Sequence, residues 1–332
     1  MTSPMLLIGF IILLALIFDF LNGFHDAANS IATIVSTHVL KPYTAVLWAA
    51  FFNFIAFLFF ELKVANNIGT GLVNPQIIDP IFILCALSGA IFWNIITWYF
   101  GLPSSSSHAL IGGLLGTALI KSGTTYLNFM GIAKVLISIV LSPILGLVIG
   151  LLFMFFTARF FFKTSRHKVD KLFRKLQLIS SALISLGHGG NDAQKTMGII
   201  TVLLFSSGYL TGDFHVPLWV IIPCSLTMAL GTMLGGWRIV KTMGMKITKL
   251  QPASGFCAET ASALTLFLAT ALGIPISTTH TITGSIMGVG SLQRFSAVRW
   301  GVAQRVVIAW FLTIPAAGSL SALVWLIIHY AI

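Results

Sequence analysis

Ten apolar runs constrain this chain more than any other feature. Each is close to the roughly 20 residues a helix needs to cross a hydrocarbon core of about 30 Å. They lie near residues 4–24, 44–62, 80–101, 104–121, 131–157, 178–205, 216–237, 255–272, 275–292 and 303–330. Only 8% of the 332 residues are charged, against about 25% in soluble domains, and the mean hydropathy is +0.98. An ordinary soluble enzyme is excluded. In lipid every backbone polar group must be satisfied within the protein, so the expected fold is an all-α polytopic membrane protein. The first run has no basic leader or small-residue cleavage site and reads as a spanning helix, not a removed signal. Cys85, Cys224 and Cys257 sit singly in apolar sequence without C-x-x-C spacing, which fits packing rather than disulfides or zinc.

Nineteen Lys and Arg against eight Asp and Glu give a net charge of +11. In a membrane protein such residues act first as topology signals, because cytoplasmic loops are enriched in Lys and Arg. Residues 159–175 carry seven of them and one acid, Asp170. With that segment cytoplasmic, counting spans outward brings Lys41, the group Arg238, Lys241, Lys246 and Lys249, and the group Arg294, Arg299 and Arg305 to the same side. Only Lys63, Lys121 and Lys134 fall outside, and Lys195 lies within a span, so fifteen of nineteen sort to one face. The charge is therefore an orientation signal and not a nucleic-acid footprint. The parity places both termini outside the cytoplasm of a cell (plasma or inner) membrane and gives the two halves opposite orientations.

Internal repeats support the same division. Residues 22–29, NGFHDAAN, align with 188–195, HGGNDAQK, and residues 101–108, GLPSSSSH, align with 273–280, GIPISTTH. Glycines follow each motif histidine at +4 and +8 (Gly112 and Gly116; Gly284 and Gly288). The expected organisation is repeat 1 over 1–157, a basic linker over 158–177 and an inverted repeat 2 over 178–332. Each repeat has about five hydrophobic segments, with broken helices or re-entrant hairpins at the motifs. Inverted repeats are characteristic of secondary transporters, with substrate near the midplane at the repeat interface.

An ionised Asp at the centre of a spanning helix costs about 2.5–3.5 kcal/mol on the lenient insertion scales, so Asp26 and Asp192 need partners or a wet cavity. Flanking glycines suggest that both helices break there, exposing backbone groups for ions. In the second motif, Pro followed by hydroxyls reads as a helix start. Ser105, Ser106 and Ser107, with Ser277, Thr278 and Thr279, would form an uncharged anion cradle; close interhelical packing is the plainer alternative. Four histidines, His25, His108, His188 and His280, share these motifs. Orienting hydrogen bonds suit them better than metal ligation, and no resident metal or cofactor is expected. Glu259 and Asn53 could line a cation path, while Glu61 and Asp19 lie nearer span ends, where hydration suffices. Lys195 either pairs with Asp192 on the next turn or faces the substrate.

With the motifs at 23–29 and 189–195 and both Pro-hydroxyl-His segments in place, the chain resembles the inorganic phosphate transporter (PiT) family over nearly its whole length. Position 25 is commonly Asn in that family, as at Asn191; His25 and the Gln194-Lys195 pair resemble its bacterial low-affinity, proton-coupled branch. The resemblance implies symport of inorganic phosphate with a cation by alternating access. Asp26, Asn29, Asn191 and Asp192 and the two hydroxyl cradles would bind phosphate. His25, Asn53, His108, Lys195, Glu259 and His280 would serve coupling or support. Asn53 stands where some relatives have a functional Glu, which weakens a carboxylate role there. The coupling cation is a proton or sodium, with a divalent metal carried alongside phosphate as a further option. A homodimer rests on family analogy alone. The competing class is a divalent metal-ion permease; a hydrolase is disfavoured because adjacent Ser and His are not a facing nucleophile and base.

Overall fold

The computed structural model describes residues 4–274 and 276–331, so Pro275 of the second Pro-hydroxyl motif lies outside the described residues. Among them the regular structure is helical, apart from one isolated bridge between Val73 and Leu127. In chain order the α-helices are α1 (Pro4–Ser36), α2 (Pro42–Ile55), α3 (Lys63–Thr70), α4 (Pro80–Phe100), α5 (Ser106–Ser122), α6 (Phe129–Phe160), α7 (Arg166–Ser206), α8 (Leu218–Leu234), α9 (Trp237–Lys241), α10 (Pro252–Ala271), α11 (Thr278–Gln293) and α12 (Trp300–Ala331).

Four of these, α1, α4, α6 and α12, are long and apolar enough to cross a membrane by themselves; α8 with the bent segment after it makes a fifth, broken by 60°. The 41-residue α7 is about 60 Å long at 1.5 Å per residue. It absorbs much of the basic segment, which is helix from Arg166 onward and not the loop its charge suggested. The run 44–62 is α-helical only to Ile55, continues as a single 3₁₀ turn to Leu58, and is followed by the short α3 that hydropathy did not reveal.

The expected breaks beside Asp26 and Asp192 do not form, because α1 and α7 run through both motifs as unbroken helix. Their glycines serve close approach instead. A Cβ on Gly23 would sit 2.1 Å from the Met228 carbonyl oxygen of α8, and one on Gly189 would sit 2.4 Å from the Asn53 carbonyl oxygen of α2. The breaks occur at the second motif, where α4–α5 and α10–α11 form hairpins. Gly101 and Gly273 end α4 and α10 with φ of +63° and +69°, the left-handed geometry glycine adopts without strain.

α5 and α11 are only 17 and 16 residues long, and most of their residues are buried. They lie inside the fold, α5 against α12 and α11 against α6. The +4 and +8 glycines make these crossings possible. Cβ atoms at Gly112 and Gly116 would fall 2.5 and 2.1 Å from carbonyl oxygens of α12, and those at Gly284 and Gly288 would both fall 2.1 Å from carbonyl oxygens of α6. Small residues of this kind let membrane helices meet at backbone distance.

Candidate functional site

The residues that start the helices after the two hairpin turns, 104–107 and 276–279, are buried, and each helix starts with a hydroxyl cap. Ser105 accepts from the His108 backbone N–H and Ser277 from that of His280, both at 3.2 Å. The first turns of α5 and α11 thus place Ser106, Ser107, Thr278 and Thr279 at helix N-termini, where the helix dipole and first-turn N–H groups suit an anion.

The two motif aspartates converge on these turns from different helices. Ligand atoms of Asp26 on α1 and of His188 and Asp192 on α7 all lie within 4.8 Å of one another. Asp192 is fully buried. One of its oxygens accepts from Lys195, and the other accepts from Thr278 Oγ1 at 3.0 Å and lies 3.2 Å from His188 Nε2. Lys195 Nζ donates also to Ser107 Oγ and, at 3.1 Å, to the Ile276 carbonyl, so its three N–H groups meet three oxygens. Asn29 Nδ2 donates to Thr278 Oγ1 and Thr279 Oγ1, each at 3.0 Å. His25 Nδ1 lies 2.7 Å from Asp26 Oδ1, and its Nε2 is 3.1 Å from Thr97 Oγ1, which also accepts from Ser104.

Other expected site residues stand apart from this centre. Asn191 donates to Thr270 Oγ1 at 3.1 Å and to the Ile274 carbonyl at 3.4 Å, tying α7 to the end of α10. Asn53 donates to Thr232 Oγ1 at 2.9 Å and braces α2 against α8. His108 and His280 face each other with ring centroids 4.8 Å apart, and His280 stacks on Trp310 at 4.1 Å. Glu259 is buried among neutral donors, Thr33 Oγ1, Ser180 Oγ and Gln177 Nε2.

Sequence reasoning missed Asp19, which is fully buried rather than hydrated at a span end and accepts from Thr196 Oγ1 at 2.9 Å. It begins a polar stripe on α1, Asp19, Asn22, Asp26, Asn29 and Thr33, continued by Thr37 just past the helix end, spaced three or four residues apart and all buried. A matching stripe on α7 runs back through Thr196, Asp192, His188, Ser185, Ser181 and Gln177, and Thr37 Oγ1 donates to Gln177 Oε1 at 2.9 Å. From Asp19 to the end of α1 at Ser36 the helix rises about 25 Å, close to the depth of a hydrocarbon core. Glu61 fits the expectation for a hydrated acid: it is exposed, pairs with Lys63 at 2.8 Å, and that ammonium holds its carboxyl below the usual range.

Clamps of one kind hold both hairpin turns. On α3, Lys63 donates to the Ala271 carbonyl at 3.4 Å and Asn67 to the Gly273 carbonyl at 2.6 Å. After α8, Arg238 donates to the Tyr99 carbonyl at 2.6 Å and Thr242 to the Gly101 carbonyl at 3.0 Å. A cavity of about 840 Å³ between α6 and α10 is lined by Asn67, Lys134, Ser138, Ser142 and Ile276, the last of which also supplies a carbonyl to Lys195.

An all-helical membrane fold with a buried, charged, hydroxyl-rich centre between interior hairpins defines a membrane transporter rather than an enzyme. The sequence profile of the phosphate transporter family matches residues 22–321, and the chain belongs to that family. It is 62% identical over 318 residues to a probable low-affinity inorganic phosphate transporter of Rhizobium meliloti, covering 96% of this chain and 95% of that one. A protein of Bacillus subtilis described in the same words is 44% identical over 321 residues, covering 96% of each chain. A solved structure described as the sodium-dependent phosphate transporter superposes with a TM-score of 0.87 at 25% identity, covering 98% of this chain and all of the other.

Proposed function

We propose that the chain is a secondary active symporter that carries inorganic phosphate with a cation across a cell membrane by alternating access. The observation that carries this reading is the meeting of Asp26, Asp192 and Lys195 with the hydroxyl-lined starts of α5 and α11. Phosphate would be held by backbone N–H groups and hydroxyls of the two turns, with Asn29 orienting Thr278 and Thr279. Carboxylates beside an anion repel it strongly in a low-dielectric interior, so they must be neutralised before phosphate binds, and this requirement is the physical basis of coupling. A carboxylate can accept the P–OH hydrogen of phosphate. Sulfate offers no such hydrogen near neutral pH and leaves a buried acceptor facing an anion, which gives selectivity.

For the mobile cation we favour the proton. His25 joins Asp26 to Thr97 and Ser104 at one turn, a continuous line of exchangeable groups leading from the carboxylate. The paired polar stripes of α1 and α7, with Glu259 among its donors, supply groups along most of the membrane depth for proton transfer. The cluster of Asp26, His188 and Asp192 supports a second reading, in which a divalent cation travels with phosphate. Phosphate uptake into proteoliposomes under an imposed pH gradient, with and without sodium and magnesium, tests the set. Proton drive without sodium is expected, and drive by sodium alone refutes the proton assignment. Uptake of the metal without phosphate would favour a metal permease.

The basic segments 159–175, 238–249 and 294–305 are read as cytoplasmic, which makes the halves 1–157 and 178–332 inverted repeats with both termini outside. The reciprocal packing of α5 on α12 and α11 on α6 supports this division. Cysteine accessibility in intact cells at Lys134 and Lys171 tests it: labelling by an impermeant reagent is expected at 134 and not at 171.

A further inference from the structure

Lys195 is an unusual occupant for the centre of a transport site. It is 1% exposed and fully satisfied, with its ammonium surrounded by an Asp192 carboxylate oxygen, the Ser107 hydroxyl and the Ile276 backbone carbonyl. A carboxylate, a hydroxyl and a main-chain carbonyl at a helix break are the oxygen donors with which proteins hold small hard cations in membranes. The corresponding position of the first motif is Asn29, uncharged, and it reaches across in the same way. Asn29 meets Thr279 of the second cradle as Lys195 meets Ser107 of the first, and those two hydroxyl residues are themselves equivalent in the aligned motifs. The two halves thus build matching positions, but only one is filled by a side-chain charge. The Asn29 Oδ1 atom is buried without a hydrogen-bond partner.

We propose that Lys195 is a tethered cation. Its ammonium occupies a place built to hold a mobile monovalent cation and supplies permanently the charge that such an ion would bring and carry away. This rests on the reading of the centre as a phosphate and cation site, and it adds a specific consequence for coupling. A tethered charge neutralises Asp192 in every state of the cycle without crossing the membrane, so one fewer positive charge moves per phosphate. The half containing Asp192 is then not where a mobile ion is exchanged, and coupling falls to the half containing Asp26 and His25.

Replacing the tether with the residue found at its counterpart should convert the position into a site for a free ion. Wild type and Lys195→Asn, purified in detergent, are melted in sodium chloride and in choline chloride, and phosphate affinity is measured across a sodium series. Phosphate would then meet an Asp192 carboxylate that has lost its counter-charge, and losing one partner of a buried charge pair at a binding site predicts a loss of phosphate affinity of roughly 10²–10³-fold for the variant in choline. Sodium should raise the variant's melting temperature more than that of wild type and restore phosphate binding. The slope of log affinity against log sodium should exceed the wild-type slope by one ion. A folded variant whose melting and affinity respond to sodium as wild type does overturns the proposal. If Lys195→Asn can be recovered only from membranes solubilised in sodium, the proposal stands; if it is lost equally in both salts, the proposal fails. Absence of phosphate binding by wild type would refute the proposed function, while sodium-dependent melting of the variant would still report on the tether.

Discussion

Opposite charges at Asp192 and Lys195 should stabilise the fold only as a pair, and a double-mutant cycle tests this. Both groups are buried and in direct contact. In sodium-free buffer, Asp192→Asn keeps the shape of the side chain and its contacts with Thr278 and His188, but leaves the ammonium without a counter-charge. Lys195→Met keeps the length of the stem and strands the carboxylate. Breaking one partner of a buried pair costs about 3–5 kcal/mol, whereas replacing both by neutral groups of similar size is close to neutral. Independent effects would make the double variant about 6–10 kcal/mol less stable than wild type. The structure predicts instead that Asp192→Asn/Lys195→Met lies within about 2 kcal/mol of wild type and is more stable than either single variant. Reversible SDS unfolding in mixed micelles, followed by tryptophan fluorescence, gives the four free energies. Losses that add would mean that the two charges are separately solvated, and the account of this centre would be wrong.

Asp26→Asn and Asp192→Asn should each abolish coupled uptake while the protein still reaches the membrane; normal pH-dependent uptake in both would defeat the proposed role of the carboxylates. Glu259→Gln keeps an acceptor for Thr33 or Ser180 but removes the charge, so it should flatten the pH dependence of uptake and leave phosphate binding by purified protein within about fivefold, since a lost neutral hydrogen bond is worth about 1 kcal/mol. Gly116→Val should destabilise the fold by at least about 1–3 kcal/mol, because its Cβ would meet the Gly318 carbonyl oxygen at 2.1 Å, and a melting temperature equal to wild type would contradict that crossing. Asp19→Leu should impair uptake, whereas Glu61→Gln should not; equal effects would show that burial does not separate the two acids.

The sequence specified the class and centre of this molecule better than its path. Apolar runs of bilayer length revealed the helical membrane fold, and the repeated Asp and Pro-hydroxyl motifs identified side chains that do meet, because short motifs encode local geometry. The expected breaks at Gly23 and Gly189 were wrong because a glycine in sequence does not say whether it frees the backbone or admits a neighbour. Its use was decided by α8 and α2, whose carbonyl oxygens pack where a Cβ would be. Asp19 was misread for a different reason: its distance from the span centre suggested hydration, yet the spacing of residues 19, 22, 26, 29, 33 and 37 already marked one helix face. A search for polar periodicity within apolar runs would have found it. The pairing of Lys195 with Asp192, one of the two readings its spacing allowed, is present, but the other two oxygens around the ammonium were beyond sequence reading, because Ser107 and Ile276 come from elements remote in the chain. The short α3 was hidden too, since its eight residues are too few and too polar for a hydropathy window.

The clamps on the two hairpin turns have an energetic consequence. Lys63 and Asn67 hold one turn, Arg238 and Thr242 hold the other, and all four contacts are made at once. The aspartates of the charged centre are buried from solvent in this conformation. If the proposed alternating access opens the molecule at one turn or the other, two donors release two carbonyls in each case, and the two openings would be matched in kind. Matched clamps would let the two openings occur at comparable rates. In the proposed symporter the sense of net flux is set by the gradients of the transported species whatever those barriers are, and reversing the gradients should run the same protein backwards as an exporter.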